Sequence, residues 1–280
     1  MEILRSVAEI RQWSRAGRCK GRVIGLTPTM GALHAGHASL IRAARESCGL
    51  VAVSIFVNPT QFGPNEDYER YPRSFEADCV LAESEGADVV FAPAVEEIYP
   101  VGAATYIEVE GLSGRLDGAS RPGHFRGVAT VVATLLNATE ADRAFFGQKD
   151  AAQVAVLRRM VADLRLSTEI VVCPIVREPD GLALSSRNVY LSPTERLQAL
   201  ALSRAIRQVE ALVSSGERRA NALIEAARQI IATEIGARVD YIELVSWATL
   251  EPVEIAAPGS IFAVATWIGA TRLIDNIVIE

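Results

Sequence analysis

The most informative segment of the chain is Arg22-Val-Ile-Gly-Leu-Thr-Pro-Thr-Met-Gly-Ala-Leu-His-Ala-Gly-His37, in which an apolar run leads into a turn with glycines and two histidines. The run Val23–Leu26 predicts a buried strand, and we expect a helix to begin near Gly36. The free backbone N–H groups and the positive dipole end of a helix start attract anions. We therefore predict a phosphate site at this turn, with His34 and His37 on the same side of it.

Around this stretch, short apolar runs alternate with longer amphipathic ones as far as residue 175, which is typical of βαβ units and a parallel sheet. The predicted strands are Val23–Leu26, Val51–Val57, Asp88–Phe91, Arg143–Phe146 and Ile170–Cys173, with a further short strand at Tyr106–Glu110. The predicted helices between them are Ala38–Ser47, Phe75–Glu85, Gly127–Ala138 and Ala151–Leu164.

Beyond Pro174 the order of elements changes, which predicts a separate and smaller α+β domain. Its predicted helices, followed by its predicted strands, are Pro193–Val213, Ala220–Ile235, Asp240–Trp247, Ile261–Trp267 and Leu273–Ile279. Ser192-Pro-Thr-Glu195 has the pattern of a capping box with proline in the first helical turn, and it predicts a helix start without chemistry. We expect an α/β protein with domains at residues 1–175 and 176–280.

Composition limits the possible partners of the chain. Its 280 residues are 50% hydrophobic, which indicates a globular protein, and the net charge of −6 gives no reason to expect a nucleic acid. No apolar run reaches the length of a membrane span. The four cysteines show no C-x-x-C spacing, so we expect reduced thiols in a cytoplasmic protein that does not bind the membrane.

Polar clusters follow several of the predicted strands. Besides the histidine turn, they are Asn58–Gly63, Gly147–Asp150 and Leu184–Asn188. Open parallel sheets bind ligands outside the carboxyl ends of their strands, so we expect these clusters to surround one crevice.

The side chains of these clusters suit a nucleotide. Lys149 and Arg187 offer charges for phosphates, and Ser185 and Ser186 offer hydroxyl groups. The carboxylate of Asp150 can accept from ribose hydroxyls, although Asp150-Ala-Ala-Gln153 also has capping-box spacing. The serine cluster is equally compatible with a solvated loop that contains a serine N-cap.

The amides of Gln61 and Gln153 could read hydroxyl and carboxylate groups of a substrate without adding charge, although each alone fits a surface residue. Two other interpretations of the histidines stay open here, a structural role and a zinc site of a hydrolase formed by His34, His37 and His124. Residues 65–73 and 121–127 are predicted to be loops, suited either to a lid over anions or to simple exposure.

Taken together, these motifs resemble the pantothenate synthetase family, the pantoate–β-alanine ligases of the nucleotidyltransferase superfamily. This superfamily shares a Rossmann-like core with class I aminoacyl-tRNA synthetases. The resemblance covers nearly the whole chain. It rests on PTMGALHAGH at 28–37, FVNPTQFGPNEDYERYPR at 56–73, HFRGV at 124–128, FGQKD at 146–150 and VREPDGLALSSRN at 176–188.

The resemblance implies a Rossmann-like domain that binds ATP and pantoate, covered by the C-terminal domain as a lid. It implies ATP as co-substrate, Mg²⁺, and a homodimer. The reaction would form pantoyl adenylate and pyrophosphate from ATP and (R)-pantoate, after which the amine of β-alanine would attack the adenylate to give pantothenate and AMP.

Carried over residue by residue, the resemblance gives His37, His34, Lys149 and Arg187 catalytic roles, and Gln61 and Gln153 contacts with pantoate, Gln61 also lying near β-alanine. The implied ATP-binding residues are Met30, Gly31, Ala32, Leu33, His34, Ala35, Gly36, His37, Gly147, Gln148, Lys149, Asp150, Val176, Leu184, Ser185, Ser186 and Arg187. The metal ligands are not specified by the sequence, although Asp78 is a candidate.

Two positions depart from the common family pattern. Ala35 replaces a glutamate and Leu184 replaces a methionine, and neither removes a group with an assigned chemical role. Loss of the glutamate between the histidines is expected to affect their orientation. The alternatives at this point are another nucleotidyltransferase of the superfamily, the zinc hydrolase, and a nucleotide-sensing module without catalysis.

Overall fold

The computed structural model describes residues 1–64 and 66–280, so Asn65, the first residue of the predicted loop at 65–73, lies outside the described residues. A six-stranded sheet, parallel throughout, forms the larger part of the fold, with the strand order β1-β4-β3-β2-β5-β6. Its strands are β1 (Glu2–Leu4), β2 (Ile24–Thr29), β3 (Leu50–Ile55), β4 (Val89–Phe91), β5 (Arg143–Gly147) and β6 (Glu169–Cys173).

Seven helices connect these strands in the described part of the chain. They are α1 (Val7–Arg18), α2 (Ala35–Ser47), α3 (Phe75–Ser84), α4 (Val95–Ile98), α5 (Asp117–Ser120), α6 (His124–Thr139) and α7 (Ala151–Asp163). No helix among the described residues is both long and apolar enough to cross a membrane.

The last third of the chain contains two helices and an antiparallel sheet with the order β7-β8-β9. Its elements are α8 (Pro193–Ser214), α9 (Ala220–Ile231), β7 (Ala237–Ser246), β8 (Ser260–Ile268) and β9 (Thr271–Val278). The predicted capping box is present, because the Ser192 side chain accepts from the Glu195 N–H and the Glu195 carboxylate accepts from the Ser192 N–H. The predicted fold class is confirmed.

Strand order explains why the polar clusters meet. β2 and β5 are neighbours, yet the chain leaves β2 toward β3 on one side and leaves β5 toward β6 on the other. Such a switch in direction opens a crevice at the carboxyl ends of the two strands. The histidine turn follows β2 and the Gly147–Asp150 cluster follows β5, so both lie at this crevice.

Both faces of the C-terminal sheet are buried. Successive residues of β8 point to opposite faces. Phe262 and Val264 pack into the core beneath α8 and α9, whereas Ile261 and Ala263 belong to the large core that surrounds α6. The C-terminal sheet is therefore packed against the parallel-sheet part through apolar side chains.

The structure differs from the predictions at three places: one strand was missed, and two predictions were wrong. The strand Glu2–Leu4 was not predicted, although it adds a parallel edge strand beside β4. Tyr106–Glu110 forms no strand, and its Ile107 N–H donates to the Thr130 hydroxyl of α6 instead of a sheet partner. The predicted loop at 121–127 is helical from His124 onward, because α6 begins there.

Gly127 allows α6 to approach the turn that carries Gln61. A Cβ atom at Gly127 would lie 2.3 Å from the backbone oxygen of Thr60. The Gly127 carbonyl also accepts from the amide of Asn58, which precedes that turn. The close contact therefore requires glycine and helps to fix the position of Gln61.

Gly127→Ala is expected to lower the free energy of unfolding by about 1–3 kcal/mol, because the added methyl group overlaps a backbone atom. Chemical denaturation measures this change. Gly114→Ala is the control, since a Cβ there meets nothing within 4 Å. Equal stability of the two variants would show that the turn moves away without cost.

Candidate active site

A cavity of about 230 Å³ lies at the carboxyl ends of β2 and β5. It brings together most of the predicted site residues, namely Met30, His34, Gly36, His37, Gln61, Gly147, Lys149, Asp150, Gln153, Val176, Leu184, Ser185, Ser186 and Arg187. A second cavity of about 640 Å³ shares several of these residues, and it extends toward the C-terminal sheet, where Trp267 and Arg272 line it. The predicted crevice is therefore a pair of adjoining cavities, of which the larger one also reaches the C-terminal sheet.

His34 and His37 hold each other in place at the start of α2. Nδ1 of His34 accepts from the Gly36 N–H at 3.1 Å, and Nδ1 of His37 accepts from the His34 N–H at 3.3 Å. His34 is thus the N-cap of α2, and the two ring centroids are 4.2 Å apart. Gly36 has to be glycine here, because a Cβ would lie 2.9 Å from Nδ1 of His34.

Both imidazoles are neutral at pH 7. Burial and the neighbouring His34 lower the pKa of His37 from 6.5 to about 3, and burial together with the charge of Lys149 lowers the pKa of His34. In each ring Nδ1 already accepts a hydrogen bond, so the proton of the neutral ring resides on Nε2. The histidine turn therefore offers two Nε2–H donors and no positive charge.

The buried carboxylate of Asp78 shapes the turn before the histidines. Oδ2 of Asp78 accepts from the Ala32 N–H at 2.9 Å, and Oδ1 accepts from the Leu33 N–H at 2.8 Å and from the Ser74 hydroxyl at 3.0 Å. Ala32 has a φ of +51°, a strained value for a residue with a side chain. Both Asp78 oxygens are thus used within the protein, which argues against the predicted role of Asp78 as a Mg²⁺ ligand.

Lys149 and Asp150 face the cavities from the short 3-10 turn Gln148–Asp150. Lys149 Nζ lies 3.5 Å from Oδ1 of Asp150. Asp150 occupies the N-cap position of α7 but makes no capping hydrogen bond with its side chain. The capping-box interpretation of Asp150 and Gln153 is therefore wrong, and the carboxylate is half-exposed at the cavity.

Arg187 is held by an aspartate that the sequence did not single out. Its Nε donates to Oδ2 of Asp67 at 3.1 Å, and its NH2 donates to Oδ1 at 3.0 Å. Beside it, the Ser185 hydroxyl accepts from the Arg187 N–H, which is the serine N-cap considered from the sequence. The Ser186 hydroxyl is 3.2 Å from the Tyr71 hydroxyl. The serine cluster is thus an N-capped 3-10 turn at the cavity wall.

The two glutamines lie in the same cavity. Gln61 is buried, with its Oε1 accepting from the Asn58 amide at 3.0 Å and its Nε2 lying 3.0 Å from the Met30 sulfur. Gln153 lines both cavities from the first turn of α7. The structure therefore brings both amides to the histidine turn, as predicted.

Some predicted ATP-site residues do not line either cavity. Gly31, Ala32 and Leu33 form the backbone turn against Asp78, Ala35 is exposed, and Gln148 bonds to the C-terminal sheet. Conversely, α6 contributes an apolar wall that was not predicted from the sequence. These residues are Val128, Val131, Val132 and Leu135, whose helical spacing was the available signal.

The comparisons with known proteins agree over the whole chain. The sequence model described as pantoate-beta-alanine ligase matches residues 2–278. The chain belongs to the pantoate-beta-alanine ligase family. The prediction of this family is confirmed.

Relatives of this ligase family are similar along their full lengths. The pantothenate synthetase of Koribacter versatilis (strain Ellin345) is 56% identical over 280 residues, covering 100% of this chain and 96% of that protein. The one of Acidobacterium capsulatum is 59% identical over 283 residues, covering 99% and 94%.

Solved structures of the ligase family have the same fold. The crystal structure of pantothenate synthetase from Thermus thermophilus matches with a TM-score of 0.94 at 44% identity, covering 99% of both chains. The pantoate-beta-alanine ligase from Francisella tularensis, complexed with beta-gamma ATP and beta-alanine, matches with a TM-score of 0.81 at 36% identity, covering 99% of this chain and 97% of that one.

The zinc-hydrolase alternative is not supported. His124 uses both ring nitrogens within the protein, at 2.8 Å from the Gln61 carbonyl and 2.9 Å from the Arg121 guanidinium. Because the guanidinium can only donate, Nε2 of His124 accepts and Nδ1 carries the proton. Among residues 1–64 and 66–280, no group of three His, Cys, Asp or Glu side chains is arranged to hold a metal ion.

The two departures from the ligase pattern lie in different environments. Ala35 is exposed, and the histidine rings are oriented by backbone N–H groups without help from its side chain. Leu184 lines the cavity of about 230 Å³ and donates its backbone N–H to the Val176 carbonyl at 3.0 Å. The orientation of the histidine rings therefore does not depend on a contact with the side chain at position 35, contrary to the expectation from the sequence.

Asp78→Asn is expected to lower the free energy of unfolding by about 1–3 kcal/mol and to weaken ATP binding. The amide group of asparagine would face a backbone N–H that then has no acceptor. Denaturation and calorimetric titration with ATP measure the two effects. Glu76→Gln is the matched control, because it removes an exposed carboxylate from the same helical turn. Equal losses in both variants would contradict this role for Asp78.

The low pKa of His37 predicts how stability depends on pH. The unfolded chain takes up this proton near pH 6.5, whereas the folded chain takes it up only near pH 3. The stabilisation is thus complete above pH 6.5 and decreases as the pH falls toward 3, by up to about 1.4 kcal/mol per pH unit. In urea denaturation between pH 4 and 6, His37→Gln should show a correspondingly shallower slope. Identical slopes would mean that His37 is protonated in the folded protein.

Proposed function

We propose that the chain catalyses the ATP-dependent ligation of (R)-pantoate and β-alanine to pantothenate, with release of AMP and pyrophosphate. The observation that carries this proposal is that one cavity contains the histidine turn, both cations and both glutamines, in a member of the ligase family. The Francisella relative, whose complex contains an ATP compound and β-alanine, supports the assignment of substrates.

In the first step, the pantoate carboxylate attacks the α-phosphorus of ATP and pyrophosphate leaves. Negative charge grows on the phosphate oxygens during this attack. We assign its stabilisation to Lys149 and Arg187 as cations and to the Nε2–H groups of His34 and His37 as neutral donors. Arg187 would release Asp67 and bind phosphate, so that both of its donor nitrogens would again have an anionic acceptor.

The remaining contacts would orient the two substrates. Met30, Val176 and Leu184 provide apolar surface for the adenine, and Asp150 provides an acceptor for the ribose hydroxyls. Gln61 and Gln153 would hold the hydroxyl and carboxylate groups of pantoate. Since the amides carry no charge, they would orient the attacking carboxylate without a tight ion pair that lowers its nucleophilicity.

In the second step, the amine of β-alanine attacks the acyl carbon of pantoyl adenylate and AMP leaves. Gln61 lies deep in the cavity, where it would contact β-alanine as well as pantoate. Exclusion of water matters here, because water would hydrolyse the adenylate. We propose that residues 176–280 form the domain that covers residues 1–175 and keeps water out.

Mg²⁺ fits this site as an ion held mainly by phosphates and water, which is its usual manner of binding in such enzymes. Asp150 could contribute a ligand, because it faces both cavities and has Lys149 as a distant partner at 3.5 Å. Glu66 is bound by Arg121, whereas Asp67 would become available once Arg187 binds phosphate. When bound, Mg²⁺ would neutralise phosphate charge.

We also propose that the protein acts in the cytoplasm as a homodimer. The four cysteines are all free thiols, two of them buried, which suits a reducing compartment. The dimer is proposed from the resemblance to the family alone, and sedimentation of the purified chain tests it.

Exchange of labelled pyrophosphate into ATP tests the function. The chain is expected to catalyse exchange only when pantoate is present, and to form AMP and pantothenate when β-alanine is added. His37→Ala should reduce exchange by roughly 10²–10³-fold, the loss typical of one transition-state donor. Exchange without pantoate would indicate another nucleotidyltransferase, and ATP binding without any turnover would indicate a sensing module.

A further inference from the structure

The C-terminal sheet reaches into the site through one buried amide. Asn276 lies on β9 and is 2% exposed. Its Nδ2 donates to the Gln148 carbonyl at 3.0 Å and to the Lys149 carbonyl at 2.9 Å, and its Oδ1 accepts from Nε2 of Gln148 at 3.2 Å. The turn that carries Lys149 is therefore bound to the C-terminal sheet at three points.

The contacts require a carboxamide at this position. The two adjacent carbonyl oxygens need donors, and the Gln148 amide needs an acceptor. An aspartate would present an oxygen to the carbonyls, and an apolar residue would leave all three groups unpaired in a buried place. No other side chain of this size satisfies both demands.

Asn276 is itself firmly held. Its backbone N–H donates to Oδ1 of Asp275 at 2.8 Å, and the Asp275 carboxylate accepts from both terminal nitrogens of Arg177 at 2.6 and 2.8 Å. Arg177 pairs with Ala183 in the short bridge that precedes the serine cluster. Two successive residues of β9 thus support the two walls of the cavity that carry Lys149 and Arg187.

We infer that Asn276 is a positioning residue that holds Lys149 where its ammonium group stabilises the phosphate charge during attack of the pantoate carboxylate, an inference that rests on the proposed function. The lysine side chain is long and flexible, so the position of its ammonium group depends on where its backbone is anchored. A displacement of about 1 Å in a reacting group can cost roughly 10²-fold in rate. Asn276 therefore contributes to the first step without touching the substrate.

Asn276→Ala is expected to reduce the rate of pantoate-dependent pyrophosphate exchange by roughly 10–10²-fold. Aminolysis of supplied pantoyl adenylate by β-alanine should fall by a smaller factor, because only the AMP phosphate gains charge in that step and no pyrophosphate leaves. Trp247→Phe is the control. It removes another hydrogen bond from the C-terminal part of the chain, from the Trp247 indole to the Ala151 carbonyl at the start of α7 at 3.1 Å, without releasing Lys149.

A double-mutant cycle with Lys149→Ala distinguishes positioning from a general loss of structure. If Asn276 acts through Lys149, Asn276→Ala should have little further effect on exchange in the Lys149→Ala background. A loss of the same factor in both backgrounds would overturn the inference. If Asn276→Ala does not fold, Asn276→Asp, which has the same shape, takes its place in the cycle. A wild-type chain without any exchange would instead refute the proposed function, and the role of Asn276 with it.

Discussion

The position of the histidine turn depends on the buried carboxylate of Asp78, which accepts hydrogen bonds from the N–H groups of Ala32 and Leu33. They stabilise a backbone turn that has positive φ at two successive residues, one of which is not glycine. That turn ends β2 and allows α2 to begin at once, with His34 as its N-cap. The positions of both histidines follow from it.

The electrostatics of the site separate neutral donors from cations. The histidines and glutamines contribute hydrogen bonds without charge, whereas Lys149 and Arg187 contribute positive charge and lie beside Asp150 and Asp67. This arrangement limits repulsion when the protein holds no nucleotide. A triphosphate would compete with the two carboxylates for the cations, and bound Mg²⁺ would offset the negative charge that it adds.

Local patterns could be predicted from the sequence, and contacts between distant segments could not. The strand, turn and helix around His34 were predicted because each depends on neighbouring residues. The role of Asp78 was missed because its partners lie 45 and 46 residues away. They are backbone N–H groups, and no residue type in the sequence marks which backbone N–H groups bind a distant carboxylate. Asn276 was missed for the same reason, since its partners at 148 and 149 lie in the turn that follows β5, about 127 residues away.

The failed predictions have a related cause. Residues 106–110 have the composition of a strand, but the Ile107 N–H donates to the Thr130 hydroxyl of α6 and no sheet edge among the described residues pairs with the segment. The strand at 2–4 is short, and its parallel pairing with β4 depends on residues far along the chain. Such tertiary contacts override local preference.

In the proposed site, two neutral imidazoles with Nε2–H donors face the nucleotide. Nitrogen NMR of ¹⁵N-histidine-labelled protein, with His34→Gln and His37→Gln for assignment, tests this arrangement directly. At pH 7 we expect the rings of His34 and His37 both to be neutral, with the proton on Nε2, and the Nε2 resonances of both to shift when ATP and pantoate are added. A protonated ring, or a proton on Nδ1, in the ligand-free protein would contradict it.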